Sequence, residues 1–67
     1  MTQQEESMLV FAARYAHNRL TGAALMVVSE IIDKWPEISE RTRKQLVRES
    51  REATHFKDEW QRLADLK

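Results

Sequence analysis

The side chains best suited to metal binding or acid–base catalysis in this 67-residue chain are its two histidines, His17 and His55. Helical zinc sites usually place two ligands four residues apart, because that spacing puts both on one helix face, and add a third. Neither histidine has such a neighbour, and the chain contains no cysteine that would supply a thiolate. The sequence therefore predicts no metal and no other cofactor, with both histidines on the surface or in loops.

One pair of carboxylates is the next candidate for chemistry. Glu30 and Asp33 are a helical turn apart, and such a pair can perform acid–base catalysis where it is desolvated. Their surroundings favour a simpler interpretation, in which both mark the wet edge of a buried helix. The sequence has no serine in a nucleophile-elbow context and no glycine-rich phosphate loop, and it is short for enclosing a substrate pocket. We therefore expect no catalytic residues and no enzyme activity.

Basic side chains dominate the stretch from residue 40 to residue 52, and they are Arg41, Arg43, Lys44, Arg48 and Arg51. With the preceding turn they permit a helix-turn-helix interpretation, in which Arg41, Arg43 and Lys44 begin a recognition helix. Across the chain, however, 11 basic and 11 acidic residues cancel, leaving no excess charge for phosphate affinity. A solvated face is favoured over nucleic-acid contact, and Arg41, Arg43, Lys44 and Arg48 are candidates for binding a protein partner.

The first predicted helix covers about residues 3 to 19. Thr2 and Glu5 have the spacing of a capping box, in which a hydroxyl and a carboxylate each satisfy a first-turn amide. Steps of three and four residues predict an inner stripe of Met8, Phe11, Ala12, Tyr15, Ala16 and Arg19, broadened by Leu9, Ala13 and Leu20. At the end of this helix Tyr15 and Arg19 are i,i+4 neighbours, and both are candidates for anchoring a partner's acidic group.

A second helix is predicted over residues 22 to 35, with Thr21 as its N-cap. It is apolar over most of its circumference, which is typical of a central helix. Three short neighbours cannot easily cover so much apolar surface. We therefore expect part of it to face another subunit, and the candidate interface residues are Leu25, Met26, Val28 and Ile32.

Pro36 ends the second helix, and Ser39 is the predicted N-cap of a third. The third helix has a narrow inner face of Thr42, Leu46, Val47, Ser50 and Ala53. Residues 53 to 56 then either break the chain, with Thr54 capping a short fourth helix, or continue the third helix at heptad spacing. The break is favoured. The prediction is therefore an all-α fold, a single domain over residues 1 to 67 that forms a compact bundle of three long helices plus a short C-terminal one.

Two tryptophans have a double interpretation. Trp35 and Trp60 each carry a large apolar surface, and we expect them to fix helix ends in the core. An exposed tryptophan would instead be a hot spot for protein binding, and Trp60 is retained as a candidate on that ground.

The segment from Arg14 to Ala23 resembles the opening motif of a loose group of small helical proteins from phages and prophages. The resemblance rests on Tyr15, Ala16, Arg19 and Thr21. A tryptophan and proline break before a charged helix, and a late tryptophan, extend it over most of the chain. Asn18 and Gly22 depart from the pattern, where glycine and an aromatic residue are common.

Membership of this group implies a phage accessory protein that binds and inhibits or redirects a host protein, including defence systems such as CRISPR nucleases. Two alternatives remain open from the residues, a small DNA-binding regulator and a homo-oligomeric virion or assembly component. The longest purely apolar run, residues 23 to 28, falls far short of the roughly 20 residues that span a bilayer. No membrane contact and a cytoplasmic location, in the host cell if the chain is phage-encoded, are therefore expected.

Overall fold

The computed structural model describes residues 1 to 66, and the secondary structure in that range is helical. The helices are α1 (Gln3–Ala16), α2 (Gly22–Lys34), α3 (Glu40–Arg51) and α4 (Lys57–Asp65), with a 3-10 turn (Trp35–Glu37) between α2 and α3. The predicted all-α bundle of three longer helices and a short fourth is confirmed. Within the described residues no helix has both the length and the apolar character needed to cross a membrane.

The four helices form a ring around one core. α1 packs beside α2 and α3, and α4 packs beside the same two helices. The principal extents are 29 × 21 × 17 Å. Close packing therefore joins α1 to both of the long helices that follow it, whereas extensive contact between α2 and α3 themselves is absent from the described part of the chain.

The core draws on every helix. Its largest fully buried side chains are Ile31 of α2, Leu46 of α3, and Trp60 and Leu63 of α4. Trp35 is buried as well, so both tryptophans fix helix segments in the core as predicted. The predicted inner face of the third helix is confirmed, since Thr42, Val47, Ser50 and Ala53 are buried; beyond it Phe56 and Ala64 pack against the core.

Helix starts follow the capping signals in two of four cases. Thr2 and Glu5 form the capping box of α1, and the Ser39 hydroxyl accepts from the Thr42 amide at the start of α3. Thr21 occupies the N-cap position of α2 but its side chain accepts no cap hydrogen bond. The N-cap of α4 is Phe56, not the predicted Thr54, and Phe56 adopts a left-handed conformation with φ 53°. Packing of its ring against the core offsets a backbone cost of about 1–2 kcal/mol.

The predicted inner stripe of the first helix is largely wrong. The buried residues of α1 are Glu6, Val10, Ala13 and Ala16, while Met8, Phe11 and Tyr15 point to solvent. Ala13 and Ala16 are small, which lets neighbouring helices approach closely where large side chains would keep them apart. α1 also ends earlier than predicted, and the carbonyl of His17 at its end accepts a 3.0 Å hydrogen bond from the Thr54 amide.

Candidate protein-binding surface

Three large apolar side chains lie exposed on one face of α1. Met8, Phe11 and Tyr15 follow each other at steps of three and four residues, so they share one face of the helix. Their exposed fractions are 64%, 75% and 65%. Single exposed apolar residues are ordinary, but a continuous row on one helix is a feature of interaction surfaces. We refer to Met8, Phe11 and Tyr15 as the α1 apolar face.

Further apolar side chains are exposed in the segment that follows α1. Leu20 in the connecting loop is 67% exposed, and Met26 of α2 is 73% exposed. Leu25 is just exposed, whereas Ile32 is half-buried and packs against the core. Val28 is only 2% exposed, so its placement in a subunit interface was wrong, because it lies on the same side of α2 as the core residues Ala24 and Ile31. Excess apolar surface thus exists on α2, but most of it lies on α1.

The predicted pair at the end of α1 is formed. The Arg19 guanidinium carbon lies 4.2 Å from the centre of the Tyr15 ring, a cation–π distance. The Arg19 Nε donates to the Tyr15 carbonyl at 3.3 Å. Because Arg19 is exposed, it presents a fixed positive charge beside the α1 apolar face.

A groove of about 650 Å³ lies between α1 and α3, and Phe11 is one of the residues that line it. Arg14 of α1 and Arg41 of α3 lie on its borders, with Ser7 and Gln45. The groove is open and mainly polar, and it runs from Phe11 of the α1 apolar face toward the basic residues of α3.

Glu6 lies beneath this groove, and its role was not predicted. Its carboxylate accepts from the Ser39 amide at 2.8 Å, the Ser39 hydroxyl at 2.8 Å and the Thr42 hydroxyl at 2.7 Å. These hydrogen bonds, with that from Thr42 the largest influence, hold the pKa of Glu6 below its ordinary value. The negative charge of Glu6 also interacts favourably with the positive, N-terminal end of the α3 dipole. Glu6 therefore ties α1 to the start of α3, and its partners lie more than 30 residues away, where no local pattern indicates them.

Most of the predicted basic residues on α3 are exposed. Arg41, Lys44 and Arg48 lie on one face, and Lys44 is 3.8 Å from Glu40. Arg43 is the exception: it is half-buried, and contacts within the chain replace the predicted role in partner binding. Its Nε and Nη2 donate to the Trp35 carbonyl at 3.0 and 2.7 Å, and its guanidinium lies 5.6 Å from the Trp35 ring centre. Arg43 thus binds the carbonyl at the junction of α2 and the 3-10 turn and has a structural role.

Trp60 is also removed from the partner-binding candidates. Its side chain is 0% exposed, since it lies at the centre of the ring of helices. The hot-spot interpretation required an exposed ring, and the core interpretation is the one the structure confirms.

The potential chemical groups are held in structural contacts. His17 lies in the turn after α1 and is partly buried, since its side chain is 15% exposed and its Nε2 lies 3.4 Å from Glu49, which also accepts from Arg14 at 2.9 Å. His55 is exposed between α3 and α4, so both histidines lie outside the helices. Glu30 pairs with Lys34 at 3.1 Å. Among residues 1 to 66, no three histidine or carboxylate side chains cluster as metal ligands would.

Comparison with protein families, with curated proteins and with solved structures finds no match to this chain. The evidence for function is therefore the surface of the chain itself. The α1 apolar face, bordered by Arg19 at one end, is its most distinctive part.

Proposed function

We propose that this chain is a non-enzymatic binding protein that acts through the α1 apolar face. The observation that carries the proposal is the exposure of Met8, Phe11 and Tyr15 on a single helix face. The core is complete without them, since every helix contributes fully buried residues elsewhere. Transfer of such side chains out of water contributes roughly 25 cal/mol per Å² of apolar area, which is partly offset by the entropy lost on association.

The Tyr15 and Arg19 pair adds specificity to this surface. Tyrosine and arginine are enriched among residues that dominate binding energy, because each combines a broad apolar surface with a polar end. The terminal nitrogens of Arg19 suit a bidentate hydrogen bond to a carboxylate. A protein that presents an apolar ridge beside an acidic side chain fits both features.

A host protein is the proposed partner, on the ground of the resemblance to small phage proteins carried by Tyr15, Ala16, Arg19 and Thr21. In this proposal the chain is an accessory protein that inhibits or redirects its target, and a component of host defence is one such target. The biological setting is supported by analogy with the phage proteins, and the binding surface is supported by the geometry of α1 and Arg19.

The test is capture from a bacterial lysate with the immobilised chain. We expect one protein to be retained in stoichiometric amount by the wild type and lost with the double variant Phe11→Ser and Tyr15→Ser. A matched control, Gln61→Ser and Arg62→Ser, changes two exposed residues of α4 and should retain it. Equal capture by all three proteins would contradict the proposal.

Nucleic-acid binding is a second candidate, favoured by the exposed row of Arg41, Lys44 and Arg48. The helix-turn-helix form of this idea loses support, because that motif packs two successive helices together and extensive α2–α3 contact is absent from the described residues. Electrostatic binding is strongest at low salt. A labelled DNA duplex that shows no anisotropy change at low salt excludes this candidate; binding that weakens on Arg41→Ala with Lys44→Ala supports it.

A further inference from the structure

The α1 apolar face has a charge pattern that is complementary to itself. Its N-terminal border carries Glu5, and its C-terminal border carries Arg19. A face with opposite charges at its two ends matches a second copy of the same face when the two helices run antiparallel. Resting on the proposed role of this face in protein binding, we infer that a second copy of this chain, related by a two-fold axis near Phe11, occupies it whenever no host protein is bound.

The spacing of the residues supports a two-fold arrangement. α1 is 14 residues long, about 21 Å at 1.5 Å per residue. With the axis passing between residues 11 and 12, Met8 faces Tyr15 of the second copy, and Phe11 faces Phe11 and Ala12. Because the Arg19 guanidinium is stacked on the Tyr15 ring, it then lies beside Met8 of the opposite helix, one helical turn from Glu5. A parallel pairing would instead stack Arg19 on Arg19 and align the two helix dipoles unfavourably.

The charged atoms needed for this contact are not engaged in the single chain. Glu5 accepts from the Thr2 amide and hydroxyl, both at 2.9 Å, through Oε1. Its Oε2 has no hydrogen bond within residues 1 to 66, and neither have the terminal nitrogens of Arg19. A carboxylate oxygen at one end and guanidinium nitrogens at the other thus remain for two symmetric ion pairs.

The area is sufficient for a specific but reversible dimer. Side chains such as phenylalanine and tyrosine bury about 150–250 Å² each, and more than half of each remains exposed here. Two copies of the α1 apolar face would remove on the order of 1,000 Å² from water. That is near the lower bound for specific interfaces. Such an isologous contact closes after two copies and does not extend into fibres.

Sedimentation equilibrium over a micromolar to sub-millimolar range tests this inference. We expect a monomer–dimer equilibrium whose dissociation constant rises about 100-fold or more with Phe11→Glu, because two carboxylates then meet at the axis. The matched control, Gln61→Glu, adds the same charge at an exposed site on α4 and should leave the equilibrium unchanged. Mixing Phe11→Glu with Phe11→Lys should restore association.

Orientation is tested by disulfide trapping, since the chain has no cysteine of its own. Equal amounts of Met8→Cys and Tyr15→Cys, mixed under mild oxidation, should give mainly the mixed disulfide. Excess of the two symmetric disulfides would overturn the antiparallel arrangement, because bridged Cα atoms must lie about 4.4–6.8 Å apart.

A wild type that stays monomeric at the highest concentration overturns the inference. If capture of a lysate protein is still lost with Phe11→Ser and Tyr15→Ser, the proposed binding function stands and only the second copy is rejected. If neither association nor capture depends on this face, both proposals fall.

Discussion

Glu6 is the buried charge on which the junction of two helices depends. A carboxylate removed from water loses hydration, and three donors from Ser39 and Thr42 replace it. Each donor belongs to the first turn of α3, so the contact sets the distance and the direction between α1 and α3. In the sequence Glu6 is one of two adjacent glutamates in a first helical turn; the capping-box spacing from Thr2 identifies a role for Glu5, but nothing local indicates the distant partners of Glu6.

This arrangement gives stability a defined pH dependence. The pKa of Glu6 is lower in the folded chain than its ordinary value of 4.5, so the folded state favours the ionised form. The resulting stabilisation is fully present above the unfolded pKa and is lost as pH falls through the folded pKa. We expect Glu6→Gln to lower the free energy of unfolding at pH 7 and to weaken its decline below pH 4.5, measured by urea unfolding. Asp33→Asn, at an exposed site on α2, is the control and should change neither quantity appreciably.

Arg43 provides a test of structural against binding roles at single residues. Its two hydrogen bonds to the Trp35 carbonyl use the fork of the guanidinium, which lysine cannot reproduce. We expect Arg43→Lys to lower the free energy of unfolding by about 1–2 kcal/mol. Arg41→Lys, at an exposed neighbouring position, should stay within about 0.5 kcal/mol of the wild type. Equal effects in chemical denaturation would show that Arg43 is not specially placed.

At the scale of elements, the two C-terminal helices were the more predictable part. α3 is polar except for one narrow row, so only one face is available to the core. Pro36 and Ser39 define its start, and its predicted inner residues are those found buried. Phe56, Trp60 and Leu63 likewise leave α4 one apolar side. Where a helix has a single apolar row, helical periodicity identifies the buried face.

α1 could not be oriented in this way because it has two apolar rows. One contains Val10, Ala13 and Ala16, and the other contains Met8, Phe11 and Tyr15, of which the larger side chains favour the wrong face. The correct row is further obscured by Glu6, an acidic residue that belongs to it. Only the positions of α2 and α3 decide between the rows, and those follow from contacts distant in the chain.

The candidate surface was predictable from the sequence only in part. The Tyr15 and Arg19 contact follows from an i,i+4 spacing, and the exposure of Arg41, Lys44 and Arg48 follows from the charge of α3. The apolar face itself was assigned to the core. Trp60 was retained as a surface candidate although it is buried, because the sequence gives no measure of what covers a given ring.

Because α1 turns Phe11 outward and Val10 inward, substitutions at these neighbouring residues should differ in their effect on the free energy of unfolding. Phe11→Ala removes a ring from an exposed site, so in the dilute chain we expect a change in unfolding free energy within about 0.5 kcal/mol. Val10→Ala removes two methyl groups from the core, and we expect a loss of about 1.5 kcal/mol. Denaturant titrations at low protein concentration check both values. A larger effect at Phe11 than at Val10 would restore the orientation predicted from the sequence.

At the scale of the whole molecule, α4 completes the ring. It is the shortest of the four helices, yet it contributes two of the four largest fully buried side chains, Trp60 and Leu63. α1 and α4 both contact α2 and α3, so each supports the same two helices from one side of the core. Loss of α4 packing therefore exposes apolar surface on α2 and α3 together, and we expect the fold to unfold in a single cooperative step.

Trp60 is the residue at which this dependence is measured. A domain of this length has a stability of about 3–10 kcal/mol, and removal of a fully buried tryptophan side chain costs about 3–5 kcal/mol. Because this cost is a large fraction of the total, we expect Trp60→Ala to lower the denaturation midpoint strongly, and to leave a largely unfolded chain by far-ultraviolet circular dichroism at 25 °C where the wild-type stability is below about 5 kcal/mol. Met26→Ala, which removes a large exposed apolar side chain from α2, should keep the native spectrum and the native denaturation midpoint. If Trp60→Ala kept the native denaturation midpoint, the dependence of the fold on α4 packing would be contradicted.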